Sequence, residues 1–142
     1  TTEAIRRPVN DPLPWLLADP RRLNRSTRDG IWVRVVDVTA ALNLRRYMNR
    51  DQLVIEVKDD LCPWNNGTFK LEGHYDGAEC QTSTSQADLS IHVSNLASVY
   101  MGAISFSTLW MAGLVDERTP GALLRADRMF AVRYPPWTPC NF

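Results

Sequence analysis

The sequence predicts an α+β domain: a mixed five-stranded sheet with helices packed on one side. Three observations carry that expectation. Segments 52–59, 68–74 and 88–93 alternate apolar and polar residues with period two, as strands with one face on a core do. After Val93 the spacing changes to i, i+3, i+4, the period of amphipathic helices. The two patterns also come in blocks, which segregates the helices instead of interleaving them with the strands.

Taken in order, residues 1–30 show no sustained period and are broken by Pro8, Pro12, Pro14 and Pro20. They read as a linker and the end of a preceding domain, with a short helical turn at "PWLLADPRRL" whose Trp15, Leu16 and Leu17 want a surface to sit on. "IWVRVVDV" (31–38) is apolar on both faces and is expected to be an interior strand. "TAALNLRRYM" is expected to be a helix capped by Thr39, with Ala41, Leu44 and Met48 on one face. Leu53, Ile55 and Val57 face the core in "QLVIEVKD", as do Phe69 and Leu71 in "TFKLEGH" and Leu89, Ile91 and Val93 in "DLSIHV". "AECQTSTS" is a weaker strand among them. "DDLCPWNNG" is a turn, in which Asn65, Asn66 and Gly67 tolerate the φ values of a hairpin connection. Three helices complete the pattern. The first starts at Ser94 and carries Leu96, Val99 and Tyr100 on one face; the second carries Phe106, Leu109 and Trp110 and ends at Gly113. The third starts on Thr119 and Pro120 and lines up Leu123, Ala126 and Phe130.

Composition excludes several classes. Sixteen basic and sixteen acidic residues cancel, so no charge footprint points to nucleic acid or an anionic membrane. No apolar run approaches the ~20 residues of a membrane span. Cys62, Cys80 and Cys140 are odd in number, far apart and without metal-ligand spacing, which fits a reducing cytoplasm and no metal. The chain opens on "TTEAIRRPVNDPLPW" without an initiator Met, as a piece of a longer polypeptide or a processed terminus would.

Catalytic side-chain constellations are not evident. His74 and His92 fall on polar strand faces, with no Ser, Cys or Asp near either in a triad-like pattern. Asp59 and Asp60 read as solvated turn residues, and Arg45, Arg46 and Arg50 as a solvated helix end. The cysteines read as buried and inert. The end of the chain, "RYPPWTPCNF", is different. Pro135, Pro136 and Pro139 restrict its backbone, and Trp137 and Phe142 could anchor it. Carried into a partly desolvated cleft, the α-carboxylate of Phe142 would become a useful proton acceptor.

The order of motifs "WVRVVDVTAALNLRRY", "LVIEVKDDLCPWNNGTFKL", "ADLSIHVSNLASVYMG" and "TPGALLRADRMF", led in by "RPVNDPLPWLLADPRRL", resembles the C-terminal region of the Eis (enhanced intracellular survival) acetyltransferases. The resemblance runs along essentially the whole chain. It implies a sterol carrier protein fold, preceded in the same polypeptide by two lobes of the GNAT acetyltransferase type, and a trimer-based homo-oligomer in the full-length protein. It also implies that the C-terminus threads into the active site of the first lobe, where the carboxylate of Phe142 acts as general base. The acceptors would be amines of aminoglycosides, polyamines or lysines, with acetyl-CoA as co-substrate. Asn141 departs from the pattern, since the best-known members carry there an acidic residue that helps bind polycationic substrates.

The expected organisation is therefore a lead-in over 1–30, a sterol carrier protein-like domain over 31–132 and a tail over 133–142. Alone, it would bind no cofactor, metal, nucleic acid or membrane. The rival reading is a carrier of lipid or another apolar ligand, with Phe106, Trp110, Met111 and Phe130 lining a cavity instead of packing as core.

Overall fold

A computed structural model describes residues 5–139 of the chain. The chain divides into two units: residues 33–132, which hold the whole sheet, and the flanking stretches 1–32 and 133–142 taken together. In the first unit, β1 (Asp51–Lys58), β2 (Gly67–His74), β3 (Gly77–Thr82), β4 (Leu89–His92) and β5 (Val115–Glu117) form one sheet in the order β3-β2-β1-β4-β5. Neighbours are antiparallel except β1 and β4, so the sheet is mixed. The helices are α1 (Val38–Leu44), α2 (Val93–Tyr100), α3 (Phe106–Met111) and α4 (Ala122–Phe130).

Register explains the single core. Leu53 lies opposite Leu71, Ile55 between Phe69 and Leu89, and Val57 beside Ile91, which brings the apolar rows onto one face. Leu42, Leu96, Val99, Phe106, Met129 and Phe130 of the helices complete that cluster. The opposite face carries Glu56, Thr68, Lys70 and Glu72 and is polar. There Glu56 accepts hydrogen bonds from Ser90 Oγ at 2.6 Å and from the Arg118 guanidinium. The Ser90 hydroxyl first, and Arg118 after it, hold the Glu56 carboxyl below the usual range.

The α+β fold class agrees with the expectation, while several local features differ. Residues 31–38 form no strand. The stretch 33–37 is tied instead to the loop after β1, where Trp64 Nε1 and Asn65 Nδ2 donate to the Val36 carbonyl at 2.8 and 3.0 Å. Its doubly apolar pattern therefore splits, with Val35 buried and Val36 exposed. The fifth strand is the three-residue β5, too short for alternation to reveal. Asn65 and Asn66 keep negative φ; they serve through their amide groups.

Helix α1 is capped by Asp37, which accepts the Ala40 N–H at 2.8 Å, not by Thr39, and it buries Val38 and Leu42 while Leu44 and Met48 are exposed. Tyr47 takes the core position beyond the helix. Its ring lies so close to Gly73 that a Cβ there would stand 2.6 Å from it, and its hydroxyl donates to the Leu42 carbonyl at 2.9 Å. The cap of α2 is His92, not Ser94, and α4 begins after Gly121, not at Thr119. The expected buried faces hold for Leu96, Val99, Phe106, Leu109, Leu123, Ala126 and Phe130, while Tyr100 is partly buried against the core and Trp110 is half exposed. Gly113 ends α3 at φ 71°, donating to the Trp110 carbonyl at 2.9 Å.

Candidate functional site

Phe142 and Asn141, the residues that the resemblance singles out, lie outside the described residues, as does Cys140. The structure does describe the base from which the tail departs. Phe130, the last residue of α4, is buried between two rings, 5.2 Å from Tyr47 and 4.9 Å from Phe106, both edge to face. Arg45 spans the ends of two helices, its Nη2 donating to the Phe130 carbonyl at 2.6 Å and its Nε to the Tyr100 carbonyl at 2.8 Å. Its guanidinium carbon sits 4.5 Å over the Phe130 ring and 4.8 Å over Tyr47. A cation placed on two helical C-termini satisfies carbonyls that have no partner within their own helices. Burial lowers the Arg45 pKa. Arg45 is thus an anchor and no solvated helix end.

Two residues beyond Phe130, Val132 packs against Gly102. A Cβ on Gly102 would lie 2.5 Å from Val132 Cγ1, and Gly102 has φ +78°, which other residues rarely adopt. In the flanking unit, Thr138 packs in the same manner on Gly30, where a Cβ would meet Thr138 Cγ2 at 2.8 Å. The lead-in forms short 3-10 turns at Leu13–Leu16 and Pro20–Leu23, and Trp15 and Leu16 are exposed.

Elsewhere the chemistry is quiet, with three revisions. Asp59 is a buried hub, not a solvated acid. It accepts from Arg34 Nη2 at 2.9 Å, from the Leu61 and Cys62 N–H groups at 3.0 Å each and from Asn65 Nδ2 at 2.9 Å. Burial works against its charge, but Asn65, the two N–H groups and Arg34 outweigh it and hold the carboxyl far below the usual range. Asp60 is solvated as expected. Second, Ser94, His92 and Asp60 do come together, because β4 runs beside β1 and feeds directly into α2. Ser94 Oγ is 2.7 Å from His92 Nδ1, and Asp60 Oδ2 is 3.4 Å from Nε2. The same Nδ1 accepts the Ser94 backbone N–H, so the arrangement serves as a helix cap, with Ser94 and Asp60 open to solvent. His74 Nδ1 accepts the Asp76 N–H in the β2–β3 turn. Third, the candidate cavity residues divide: Phe106 and Phe130 are core, whereas Trp110 and Met111 are exposed.

Cys62 and Cys80 are buried free thiols, and burial pushes Cys80 up to about 11. Among the described residues no group of His, Cys, Asp and Glu is arranged to hold a metal, and no helix is long and apolar enough to cross a membrane. Among the described residues of the sheet unit, a cleft of about 630 Å³ is lined largely by charged and polar groups such as Arg50, Glu72, His74 and Glu79. A second, about 210 Å³ beside Gly102 and Val132, is smaller than the roughly 300–1,000 Å³ of ordinary ligand pockets.

Comparison with known proteins identifies the family of the sheet domain. The model of the sterol carrier protein domain matches residues 38–139. An uncharacterized N-acetyltransferase of Streptomyces avermitilis is 40% identical over 139 residues, 98% of this chain but 34% of its own length. The crystal structure of Eis1 from Mycobacterium abscessus superposes with a TM-score of 0.83 at 39% identity, over 96% of this chain and 34% of that one. A GCN5-related N-acetyltransferase from Anabaena variabilis superposes with a TM-score of 0.66 at 32% identity, over 72% of this chain and 26% of its own. The chain therefore spans about a third of the length of the curated relatives it matches. The chain belongs to the sterol carrier protein domain family, in the version that Eis-type N-acetyltransferases carry.

Proposed function

We propose that this chain is the C-terminal domain of an Eis-type, acetyl-CoA-dependent N-acetyltransferase acting on amines of aminoglycosides, polyamines or lysines. Its chemical contribution is the α-carboxylate of Phe142, delivered to an acetyltransferase lobe of the same polypeptide. There it takes the proton from the substrate amine as the nitrogen attacks the thioester carbonyl of acetyl-CoA, and the coenzyme A thiolate leaves. Asn141 contacts the amine substrate without adding charge. The acetyl-CoA site belongs to the lobes, and the full-length protein works in the cytoplasm as a trimer-based oligomer. The observation that carries this reading is the match to Eis1 over 96% of this chain but 34% of that protein. The anchoring of the tail base by Arg45, in a unit whose described residues include no metal-holding group, supports it.

The carrier alternative draws on the family itself. Against it stand the edge-to-face rings of Tyr47, Phe106 and Phe130, which are buried and packed on one another as core.

The test uses the full-length enzyme. Deleting Phe142 draws the terminal carboxylate back by one residue, about 3.3–3.6 Å, and extending the chain converts the Phe142 carboxylate to an amide; either change should leave the melting temperature unchanged and cut turnover by ~10²–10⁴, as loss of a placed general base does. Phe142→Ala keeps the terminal carboxylate at position 142 and should cost less. Equal losses in the alanine and deletion variants would assign the role to the ring, and full turnover in all of them would end the reading.

A further inference from the structure

We infer that Asn43 is a latch on the free edge of the sheet: its side-chain amide stands where a neighbouring strand would pair with β3, and this closes the edge to a second copy of the chain. All the residues involved lie in the sheet unit.

β3 is an outermost strand of the sheet, with β2 on its inner side. In an antiparallel ladder, residues alternate between turning both backbone groups toward the partner strand and turning both away. Cys80 belongs to the outward set, because Asn43 Nδ2 donates to its carbonyl at 3.0 Å and Asn43 Oδ1 accepts its N–H at 2.6 Å. Ala78 and Thr82, two residues to either side, share that orientation, and among the described residues neither has a partner of this kind. One planar amide thus gives β3 the donor and the acceptor that a residue of an added strand would give, at the central position of the edge.

α1 brings Asn43 there by contacts of its own. Val38 and Leu42 pack in the core cluster that also holds Cys80, so the helix lies on the core face and Asn43 reaches from it to the rim. The Val38 N–H donates to Asn65 Oδ1 at 3.0 Å at the start of the helix, and just past its end Arg45 holds the Tyr100 and Phe130 carbonyls. These ties do not involve β3, so replacing Asn43 frees the edge and leaves the helix seated.

The sequence of the edge supplies no other guard. "GAECQT" contains neither Pro nor Lys, residues that commonly spoil an edge for pairing. It is also complementary to itself. Two antiparallel copies about a two-fold axis at Cys80 would set Cys80 against Cys80 and Ala78 against Thr82, which fills every outward position at once. Glu79 would lie opposite Gln81 of the second copy, so no like charges meet. Asn43 occupies the central position of that arrangement, and the two edges cannot join while it does.

The experiment uses the whole chain, residues 1–142, and follows self-association by sedimentation over a concentration series. Asn43→Leu keeps the size of the side chain and removes both hydrogen bonds. Its dissociation constant for self-association should fall at least about tenfold below that of the parent. Thr82→Pro removes an outward N–H and spares the β2 ladder, so adding it should restore the parent's behaviour. A folded Asn43→Leu chain that associates no more tightly than the parent overturns the inference, and so does association that Thr82→Pro leaves unchanged. Amide hydrogen exchange in the unaltered chain tests the same latch where no variant has to fold. The Cys80 N–H should be protected at least about tenfold more than the Ala78 and Thr82 N–H groups, and equal protection at the three positions would sink the idea.

Discussion

The chain enters and leaves its sheet unit through straps built on opposite chemistry. At the entry, residues 33–37 are held by acceptors and amides: the Asp59 carboxylate under Arg34, and Asn65 and Trp64 on the Val36 carbonyl. At the exit, Phe130 is held by a cation and by packing: Arg45 on two helical carbonyls and over two rings, with Val132 against Gly102. A carboxylate can be neutralised by acid, whereas a guanidinium stays charged throughout the working range. The two straps should therefore fail under different conditions.

The largest expected effect is at the entry. Asp59 is 3% exposed and answers four donor groups, so Asp59→Ala leaves Arg34, Asn65 and two backbone N–H groups without their acceptor. We expect thermal melts to show a loss of about 10 °C or more. The pH dependence follows from the sign of the shift. The folded carboxyl titrates far below its unfolded value, so its contribution is complete above about pH 4 and is lost as pH falls below that. Asp59→Asn should flatten that acid limb. An Asp59→Asn protein with an unchanged acid limb would place the acid sensitivity elsewhere.

The exit should respond less, and without a matching pH limb. Arg45→Met keeps an apolar stem against Tyr47 and Phe130 but gives up charged donors to the Tyr100 and Phe130 carbonyls. Water can reach part of that site, so the expected cost is about 2 kcal/mol, or on the order of 5–10 °C for a unit of this size. Arg45→Lys should recover only part of the loss, because one ammonium cannot span both carbonyls and stack on two rings. If the variant's acid limb also moved, the two straps would be energetically coupled and the comparison would be wrong.

Legibility from sequence tracks how local the cause is. Leu53, Ile55 and Val57, and Leu123, Ala126 and Phe130, could be read because one-sided burial imprints its own period on neighbouring residues. The missed features depend on partners far along the chain. "IWVRVVDV" has the composition of an interior strand, yet Arg34 and Val36 answer groups at 59, 64 and 65. Asp59 and Asp60 are adjacent residues of the same type, and only the fold buries one and exposes the other. His92, Ser94 and Asp60 meet only once β4 has docked parallel to β1. Arg45 looks like any basic residue after a helix until the ends of α2 and α4 converge on it. For the candidate site, motif order pointed to the tail, but Gly30 and Gly102 carry no signal without coordinates. Phe142 and Asn141 lie outside the described residues.

The smallest effect tests whether the entry strap depends on the number of its hydrogen bonds or on the carboxylate at its centre. Trp64→Phe removes the Nε1 donor to the Val36 carbonyl and leaves a ring of similar shape. That carbonyl keeps its second donor, Asn65 Nδ2 at 3.0 Å, so no buried acceptor is stranded. Trp64 is 65% exposed, and water can replace the lost bond. The expected cost is about 0.5–1 kcal/mol, visible as a shift of a few degrees in a thermal melt. It should be the same at pH 3 and pH 7, because no titrating group is touched. A loss as large as that of Asp59→Ala would mean that the strap is a network in which every bond counts alike. A small loss, independent of pH, would leave the Asp59 carboxylate as the group on which residues 33–37 hang.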